Sequence, residues 1–227
     1  DAQESRGLGD VYKRQFIYFN EYFMRLKMKR GKSKLLSDTD VKNCLRFIND
    51  MPSHQGRTRL MFLMMLMTSL RIHSIQKLTL GQVYDDNFNP VESFLLQPEQ
   101  NKGGKKALQV YLNDTLKQEL KKYAKFLHSN KYIQPKMNDY LFKSNKGSYL
   151  SKQQIIHIFR QIFDGVGLDK QYRVHSLRAT CLTKLMNANY PLPLIQQISG
   201  HSSIQTLSIY YRTNPKNIQN ALETLNL

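Results

Sequence analysis

The segment from Arg59 to Leu70 constrains the fold most, because its residues are apolar on almost every side of a helix. A helix of this kind has to be enclosed by other elements, as in the middle of a helical bundle. Its longest apolar run, Leu60 to Met67, is too short to cross a bilayer. We therefore predict that this helix forms the centre of a core, which 227 residues with 41% hydrophobic content can fill.

Amphipathic helical patterns flank this central segment. Ser37, with Asp40 three residues later, resembles a capping box, and apolar residues follow at helical spacing up to Ile48. Other helical patterns run over 114–128, 151–164 and 176–188 and resume after Pro193. These patterns predict a protein that is mainly α-helical.

A short region between the helical patterns has a different period. The stretches 91–96 and 107–112 alternate with a period near two, and they flank a turn-rich basic segment from Asn101 to Lys106. We predict a small antiparallel β-sheet whose connecting turn carries lysines. The fold class is therefore mainly α with a small antiparallel β-sheet.

The charge of the chain indicates a polyanionic partner. Lys and Arg number 34 against 17 Asp and Glu, which gives a formal net charge of +17. Basic residues are spread along the chain rather than concentrated beside Trp or Phe in one amphipathic segment, so double-stranded DNA fits better than a membrane surface. A solvated basic face is the alternative interpretation.

The two cysteines indicate neither a disulfide framework nor a metal site. Cys44 and Cys181 lie far apart, and neither belongs to a CxxC or Cys/His ligand spacing. A reducing cytosol is the default compartment, and the N-terminus has no apolar signal region. We predict a cytoplasmic protein with no membrane segment, no cofactor and no bound metal.

The N-terminal residues differ in character from the rest. Residues 1–15 lack periodicity, and the stretch from Asp10 to Gln15 resembles an in-frame translation of a transposon end used in sequencing libraries, so we predict a non-native leader. Residues 16–34 are interpreted as the end of a truncated N-terminal DNA-binding domain or a linker. Residues 35–227 are predicted to form one catalytic domain.

Polar residues that could carry chemistry cluster in the C-terminal third. His175 and Arg178, in a His-Ser-Leu-Arg run, lie near one helical face, where both can donate to one phosphate. His201 follows Gly200, and Tyr210 comes nine residues after His201. A single straight helix would put His201 and Tyr210 on opposite faces, so both reach one site only if a turn, plausibly at Ser202-Ser203, redirects the chain.

An arginine follows the central apolar helix directly. Burying Arg71 is costly unless its guanidinium meets an anion. That anion could be a carboxylate of the protein or a phosphate of a substrate, and the sequence leaves both interpretations open.

Taken together, these residues resemble the signature of the tyrosine recombinases, the phage integrase family, over roughly Lys34 to Leu227. The order is an Arg, a hairpin Lys, an H-x-x-R pair, a G-H pair, and a Tyr nine residues later; the run SGHSSIQTLSIYYR is close to the family's final motif. The resemblance implies the tyrosine recombinase catalytic-domain fold. The site residues that it implies are Arg71, Lys102, His175, Arg178, His201 and Tyr210.

The resemblance also implies roles for these residues. The two arginines would clamp the scissile phosphate, Tyr210 would be the nucleophile, and His175 is the first candidate base. Lys102 is preferred as the general acid because the family lysine usually opens the turn, although Lys105 and Lys106 are close by. The sequence departs from the usual pattern at Ser74 and Ser176, where the family often has carboxylates.

The implied activity is site-specific cutting and rejoining of DNA through a covalent 3′-phosphotyrosine. We predict that it needs no ATP, because the sequence has no Walker-type loop, and that it needs no metal. The apolar helical spacing within 214–227 predicts a C-terminal helix, which is either a local core element or, by resemblance to the family, an element that docks into a neighbouring protomer of a tetramer on DNA. The competing interpretations are a type IB topoisomerase and a non-catalytic DNA-binding integrase relative.

Overall fold

The computed structural model describes residues 33–101, 106–129, 134–207 and 210. Within them the α-helices are α1 (Asp38–Asn49), α2 (Gln55–Thr68), α3 (Ile72–Gln76), α4 (Leu80–Val83), α5 (Asp114–Ser129), α6 (Lys152–Gly165), α7 (Val174–Asn187) and α8 (Leu192–Ser199). The strands are β1 (Ser93–Leu96) and β2 (Leu108–Tyr111), and short 3₁₀ turns cover Pro98–Gln100 and Ile204–Thr206. The fold is mainly helical with one small sheet, as predicted.

Helix α2 lies at the centre of the core. Its residues from Leu60 to Leu66 are all buried, and α1, α5 and α7 pack around it. Since helical side chains project in all directions, burial on every side requires neighbours on every side. The prediction of a central helix is confirmed, although the helix begins at Gln55, four residues before the apolar segment.

The helix starts follow the predicted side-chain signals. Ser37 caps α1, accepting a hydrogen bond from the Asp40 amide while the Asp40 carboxylate accepts one from the Ser37 amide. Ser151 and Gln154 form the same reciprocal arrangement at the start of α6. These caps satisfy amide groups that a helix start leaves without partners.

The two strands form an antiparallel pair. Ser93 lies opposite Tyr111 and Leu96 opposite Leu108, so the sheet is a hairpin as predicted. Buried Phe94 and Leu96 on β1 attach the sheet to the core. Residues 102–105 of the connecting turn lie outside the described residues.

A second, smaller apolar cluster joins α7, α8 and the segment that follows them. Its buried members are Ala179, Leu182, Met186, Ile195, Leu207 and Tyr210. Leu35 packs against this cluster, and the Leu36 amide donates to the Thr180 hydroxyl of α7 at 2.9 Å. The residues before α1 are thereby attached to the helix that carries the H-x-x-R pair.

Helix α4 was not predicted, because four residues are too few to display a helical period. No helix among the described residues has both the length and the apolar character needed to cross a membrane. The predicted leader at 1–15, most of the 16–34 segment and the predicted helix within 214–227 lie outside the described residues.

Candidate active site

The C-terminal end of α2 places the first arginine. Ser69 ends α2 in the left-handed conformation, with φ 56°, and Arg71 then begins α3 with an extended backbone. The left-handed residue reverses the chain direction, so that Arg71 leaves the core directly after the central helix. Arg71 is half-buried, and no ion pair within the described ranges includes it.

The first turn of α7 carries the H-x-x-R pair. Arg178 is only 3% exposed, and its guanidinium donates to the Ser69 carbonyl through Nη1 and to the Ser199 carbonyl, at 2.9 Å, through Nη2. These two carbonyls belong to the ends of α2 and α8. Arg178 therefore ties three helices together at one point.

The Arg178 guanidinium keeps a donor available. Its buried Nε has no hydrogen-bond partner among the described residues, and no carboxylate there pairs with it. Burial lowers the pKa of Arg178 to about 10, and the neighbouring charge of Arg71 acts in the same direction. Since a buried cation without a counter-charge is costly, this pair of arginines is suited to receive an anion.

Gly200 and the residues after it turn the chain from α8 toward the same place. Gly200 ends α8 with φ 62°, a conformation that a residue with a Cβ adopts only with strain. A Cβ at this position would also lie 3.1 Å from Leu108 Cδ2. The glycine thus lets α8 end against the sheet with His201 directly following.

His201 is held by two neighbours. Its Nδ1 lies 2.7 Å from the Ser199 hydroxyl, and its Nε2 lies 3.0 Å from Nη2 of Arg178. Nη2 of Arg178 also lies 3.3 Å from Nδ1, so the nearer Nε2 is assigned as the acceptor from the arginine, which can only donate, and Nδ1–H as the donor to Ser199. Burial, followed by the charges of Arg178, Arg71 and His175, lowers the pKa of His201 to about 3. His201 is therefore a neutral acceptor toward Arg178 in this arrangement.

The chain after His201 turns back, as the sequence argument required. Ser203 has an extended backbone, and its hydroxyl accepts from the Gln205 amide at the start of the 3₁₀ turn Ile204–Thr206. Tyr210 then lies 8% exposed in the small cluster, with its ring centroid 5.8 Å from that of His201. The redirection predicted at Ser202-Ser203 is confirmed.

The Tyr210 phenol meets His175. Tyr210 Oη lies 2.9 Å from His175 Nε2, which is hydrogen-bond distance. Burial, together with the charges of Arg178 and Arg71, lowers the pKa of His175 below its ordinary 6.5. A neutral His175 can accept the phenol proton through Nε2, which is the geometry of a nucleophile beside a base.

A cleft of about 540 Å³ opens beside this cluster, and its polar lining includes Arg71, Lys152, His175 and Arg178. Three of these four side chains are cations at neutral pH, and the fourth, His175, becomes one when it is protonated. The cleft is therefore suited to bind a phosphate within reach of the phenol.

The structure brings together five of the six residues named from the sequence: Arg71, His175, Arg178, His201 and Tyr210. Lys102 and Lys105 lie outside the described residues, while Lys106 is exposed at the start of the segment leading to β2. That these residues are catalytic stays a prediction.

The two serines at positions of family carboxylates are buried and take part in local structure. Ser74 is 1% exposed on α3, and Ser176 is fully buried, its hydroxyl accepting from the Arg173 amide at the start of α7. Ser176 therefore caps the helix that carries His175 and Arg178.

Sequence reasoning missed three residues of this site. The Ser69 carbonyl and the Ser199 carbonyl and hydroxyl hold Arg178 and His201, and Lys152 lines the cleft from the start of α6. Ser199 stands immediately before the G-H pair, which is a signal that could have drawn attention to it. Backbone carbonyls carry no signal in the sequence. In the described part of the chain, no group of three or more His, Cys, Asp or Glu residues could hold a metal ion.

Comparison with known proteins agrees with the motifs. The model of the Phage integrase family matches residues 34–217 of the chain. Tyrosine recombinase XerA of Pyrococcus furiosus is 27% identical over 220 residues, which cover 94% of this chain and 70% of that protein. Tyrosine recombinase XerD of Pseudomonas putida is 28% identical over 177 residues, which cover 78% of this chain and 56% of that protein.

Solved structures share the fold. The crystal structure of XerA recombinase has a TM-score of 0.66 at 20% identity, covering 87% of this chain and 65% of that one. The Tn1549 transposon integrase in complex with circular intermediate DNA has a TM-score of 0.65 at 22% identity, covering 86% and 68%. At such identities the likeness establishes the fold alone. The chain spans only part of most of these proteins, about two thirds of the two solved chains and 24% of a XerC-like recombinase from Caldanaerobacter subterraneus.

Proposed function

The chain belongs to the phage integrase family, and from this premise we propose that it is the catalytic domain of a site-specific DNA recombinase. It cuts and rejoins DNA through a covalent 3′-phosphotyrosine, without metal or ATP. The observation that carries this proposal is the 2.9 Å contact between Tyr210 Oη and His175 Nε2 beside a cleft lined by two arginines.

In the cleavage step, Tyr210 Oη attacks the scissile phosphorus and its proton passes to His175 Nε2. A tyrosine phenol ordinarily has a pKa of about 10, so at neutral pH it needs a base or a cationic surrounding to act as a nucleophile. Both are adjacent to Tyr210. The phosphorus–oxygen bond to the 5′ oxygen breaks, and the bond energy is retained in the phosphotyrosine, so a 5′ hydroxyl of another strand can reverse the step.

Arg71 and Arg178 stabilise the negative charge that develops on the non-bridging oxygens. Each fixed cationic donor of this kind contributes on the order of 10²- to 10³-fold to the rate. Their lack of carboxylate partners among the described residues supports the phosphate interpretation of Arg71 over the carboxylate one. His201 becomes a further phosphate donor once a bound anion raises its pKa or reorients its ring.

The leaving 5′ oxygen needs a proton, and Lys102 in the hairpin turn is proposed as its general acid, with Lys105 and Lys106 as the alternatives. This assignment rests on resemblance to the family. To distinguish the three lysines, each is replaced with Met in turn. The cleavage rate of each variant is then measured on a substrate whose leaving group is a 5′ sulfur. Sulfur leaves without protonation, so only the true general-acid variant regains its rate.

The partner is double-stranded DNA, and the net charge of +17 supports binding through the phosphate backbone. Solved relatives include XerH bound to its difH substrate, which supports DNA as a partner of this fold. We further propose a homotetramer on DNA, assembled through the C-terminal helix within 214–227, and a cytoplasmic location associated with the nucleoid.

Covalent trapping tests the proposal. The protein and its Tyr210→Phe variant are incubated in EDTA with nicked duplexes, suicide substrates and supercoiled plasmid, and the products are separated on a denaturing gel. We expect a protein–DNA adduct with the wild type and none with Tyr210→Phe, because the variant lacks the attacking oxygen. His175→Gln should slow adduct formation without abolishing DNA binding.

The other outcomes identify the alternatives. Salt-sensitive binding without an adduct would indicate a non-catalytic DNA-binding relative. An adduct with plasmid relaxation, but without strand exchange between two duplexes in a protein that includes an upstream DNA-binding domain, would indicate a topoisomerase.

A further inference from the structure

A second basic pocket lies away from the cleft, where α2 begins and α6 approaches it. It has a volume of about 380 Å³, and its polar lining includes His54, Arg57, Asn145, Lys146, Gln154 and His157. Two of these side chains are permanent cations at neutral pH and two are histidines. No carboxylate lines this pocket within the described residues.

Arg57 is the half-buried cation of this set. Its Nη1 donates to the Lys143 carbonyl at 2.6 Å, whereas its buried Nε has no hydrogen-bond partner among the described residues. Arg57 also has no carboxylate partner among the described residues. Asp139 and Glu119 form ion pairs with Lys143 and Arg59 instead. An unpaired, half-buried guanidinium with an unused donor is costly unless an anion completes it.

The surroundings favour an anion of tetrahedral oxygen geometry. Planar guanidinium groups bind phosphate through parallel N–H groups, and the N-terminus of α2, which follows His54, adds positive potential. His54 itself has a left-handed backbone, with φ 59°, and no side-chain capping bond, so its ring is available to the pocket. The amides of Asn145 and Gln154 supply neutral donors.

We propose that the pocket of Arg57, Lys146, His54 and His157 is a second phosphate-binding site, occupied by a backbone phosphate of the DNA that is cleaved. The DNA occupant rests on the proposed function, whereas the phosphate chemistry does not. Helix α2 runs from this pocket to the residues before Arg71, and its 14 residues correspond to about 20 Å.

Helix α6 borders both sites. Lys152 lines the cleft and Gln154, two residues later, lines the second pocket. A distance of about 20 Å corresponds to about six base pairs at a rise of 3.4 Å. A duplex that spans this distance along the protein would contact both sites, and the second site would then hold the DNA a few base pairs from the scissile phosphate.

The test compares Arg57→Gln with Lys125→Gln, which removes one exposed positive charge from α5 outside the pocket. Binding to a short duplex of arbitrary sequence is measured over a range of salt concentrations. Loss of one phosphate contact lowers the slope of log K against log salt by about 0.9. We expect this decrease for Arg57→Gln and no change for Lys125→Gln.

A second measurement detects phosphate from another source. Inorganic phosphate is added at constant ionic strength, and the rise in melting temperature is compared between the wild type and Arg57→Gln, so that phosphate held by Arg71 and Arg178 cancels. If phosphate raises the melting temperature of Arg57→Gln less than that of the wild type, but the salt slope of DNA binding is unchanged, the pocket binds phosphate and its ligand is a free phosphate rather than DNA. If neither the slope nor the phosphate effect differs from the wild type, the proposal is overturned.

Two controls keep the result interpretable. If Arg57→Gln does not fold, Lys146→Gln and His157→Gln are measured instead, because both side chains are exposed. No effect of either variant in both measurements also overturns the proposal. If the wild type neither binds DNA nor forms the Tyr210 adduct, the proposed function fails, while the inorganic phosphate measurement still decides whether the second site exists.

Discussion

At the scale of single residues, Arg178 has the most demanding position in the site. It is buried, it donates to carbonyls at the ends of two helices, and it contacts His201. Only a planar group with several donors can do all of this at once, which is why lysine is not an equivalent replacement.

Arg178→Lys therefore tests geometry while it conserves charge. A lysine cannot reach the Ser69 and Ser199 carbonyls together, so we expect a loss in the rate of adduct formation of about 10²- to 10³-fold and a lower melting temperature. The measurements are single-turnover trapping and thermal denaturation. Wild-type rates in the variant would show that charge alone is sufficient at this position.

The lowered pKa of His201 makes the free energy of unfolding decrease as the pH falls. The unfolded chain binds a proton to a histidine near pH 6.5, whereas folded His201 binds one only near pH 3. The unfolded state binds more protons between these values, so stability falls as the pH decreases through this window. We expect the melting temperature of His201→Gln to decline less steeply with falling pH than that of the wild type. Parallel curves for the two proteins would contradict the lowered pKa.

At the scale of elements, the junction between α8 and His201 links backbone conformation to the site. Gly200 ends α8 with positive φ close to Leu108, and His201 comes next. A substitution at this boundary can therefore displace His201 although none of the site residues is changed.

Gly200→Ala tests this junction against Gly147→Ala. Both glycines have positive φ, but a Cβ at Gly147 would meet nothing within 4 Å. Each alanine should lower the free energy of unfolding by about 1–2 kcal/mol through left-handed strain. Only Gly200→Ala should also slow adduct formation, because it displaces His201. Chemical denaturation and covalent trapping measure the two effects, and equal trapping rates would show that the junction does not position the site.

At the scale of the whole molecule, the positive charge belongs to the chain after residue 15. Residues 1–15 carry three basic residues, Arg6, Lys13 and Arg14, and three acidic ones, Asp1, Glu4 and Asp10, so the full surplus of 17 remains without them. Affinity for DNA that depends on backbone contacts should then be independent of this leader.

Deletion of residues 1–15 tests whether they belong to the fold. We expect the melting temperature and the salt dependence of DNA binding to be unchanged, since these residues show no apolar periodicity in the sequence and carry no net charge. A decrease of several degrees in the melting temperature would instead show that these residues pack on the domain.

Much of the fold could be predicted from local signals in the sequence. The period of apolar residues indicated the helices and the hairpin, and the Ser37 and Ser151 caps located two helix starts to within a residue. Boundaries that depend on contacts elsewhere were less accurate, since α2 begins four residues early and α4 carries too few residues to show a period.

The sequence by itself determined the fold class, the starts of α1 and α6, and five residues that the structure brings together, because periodicity, capping and motif order are encoded locally along the chain. Only the tertiary structure decided how His175 and Tyr210 meet, what holds Arg178, and that His201 is an acceptor. The physical reason is that these features depend on contacts between residues 21 to 109 positions apart in the chain and on burial. They also depend on the carbonyls of Ser69 and Ser199. Because every residue has a backbone carbonyl, the sequence does not indicate which carbonyls bind Arg178.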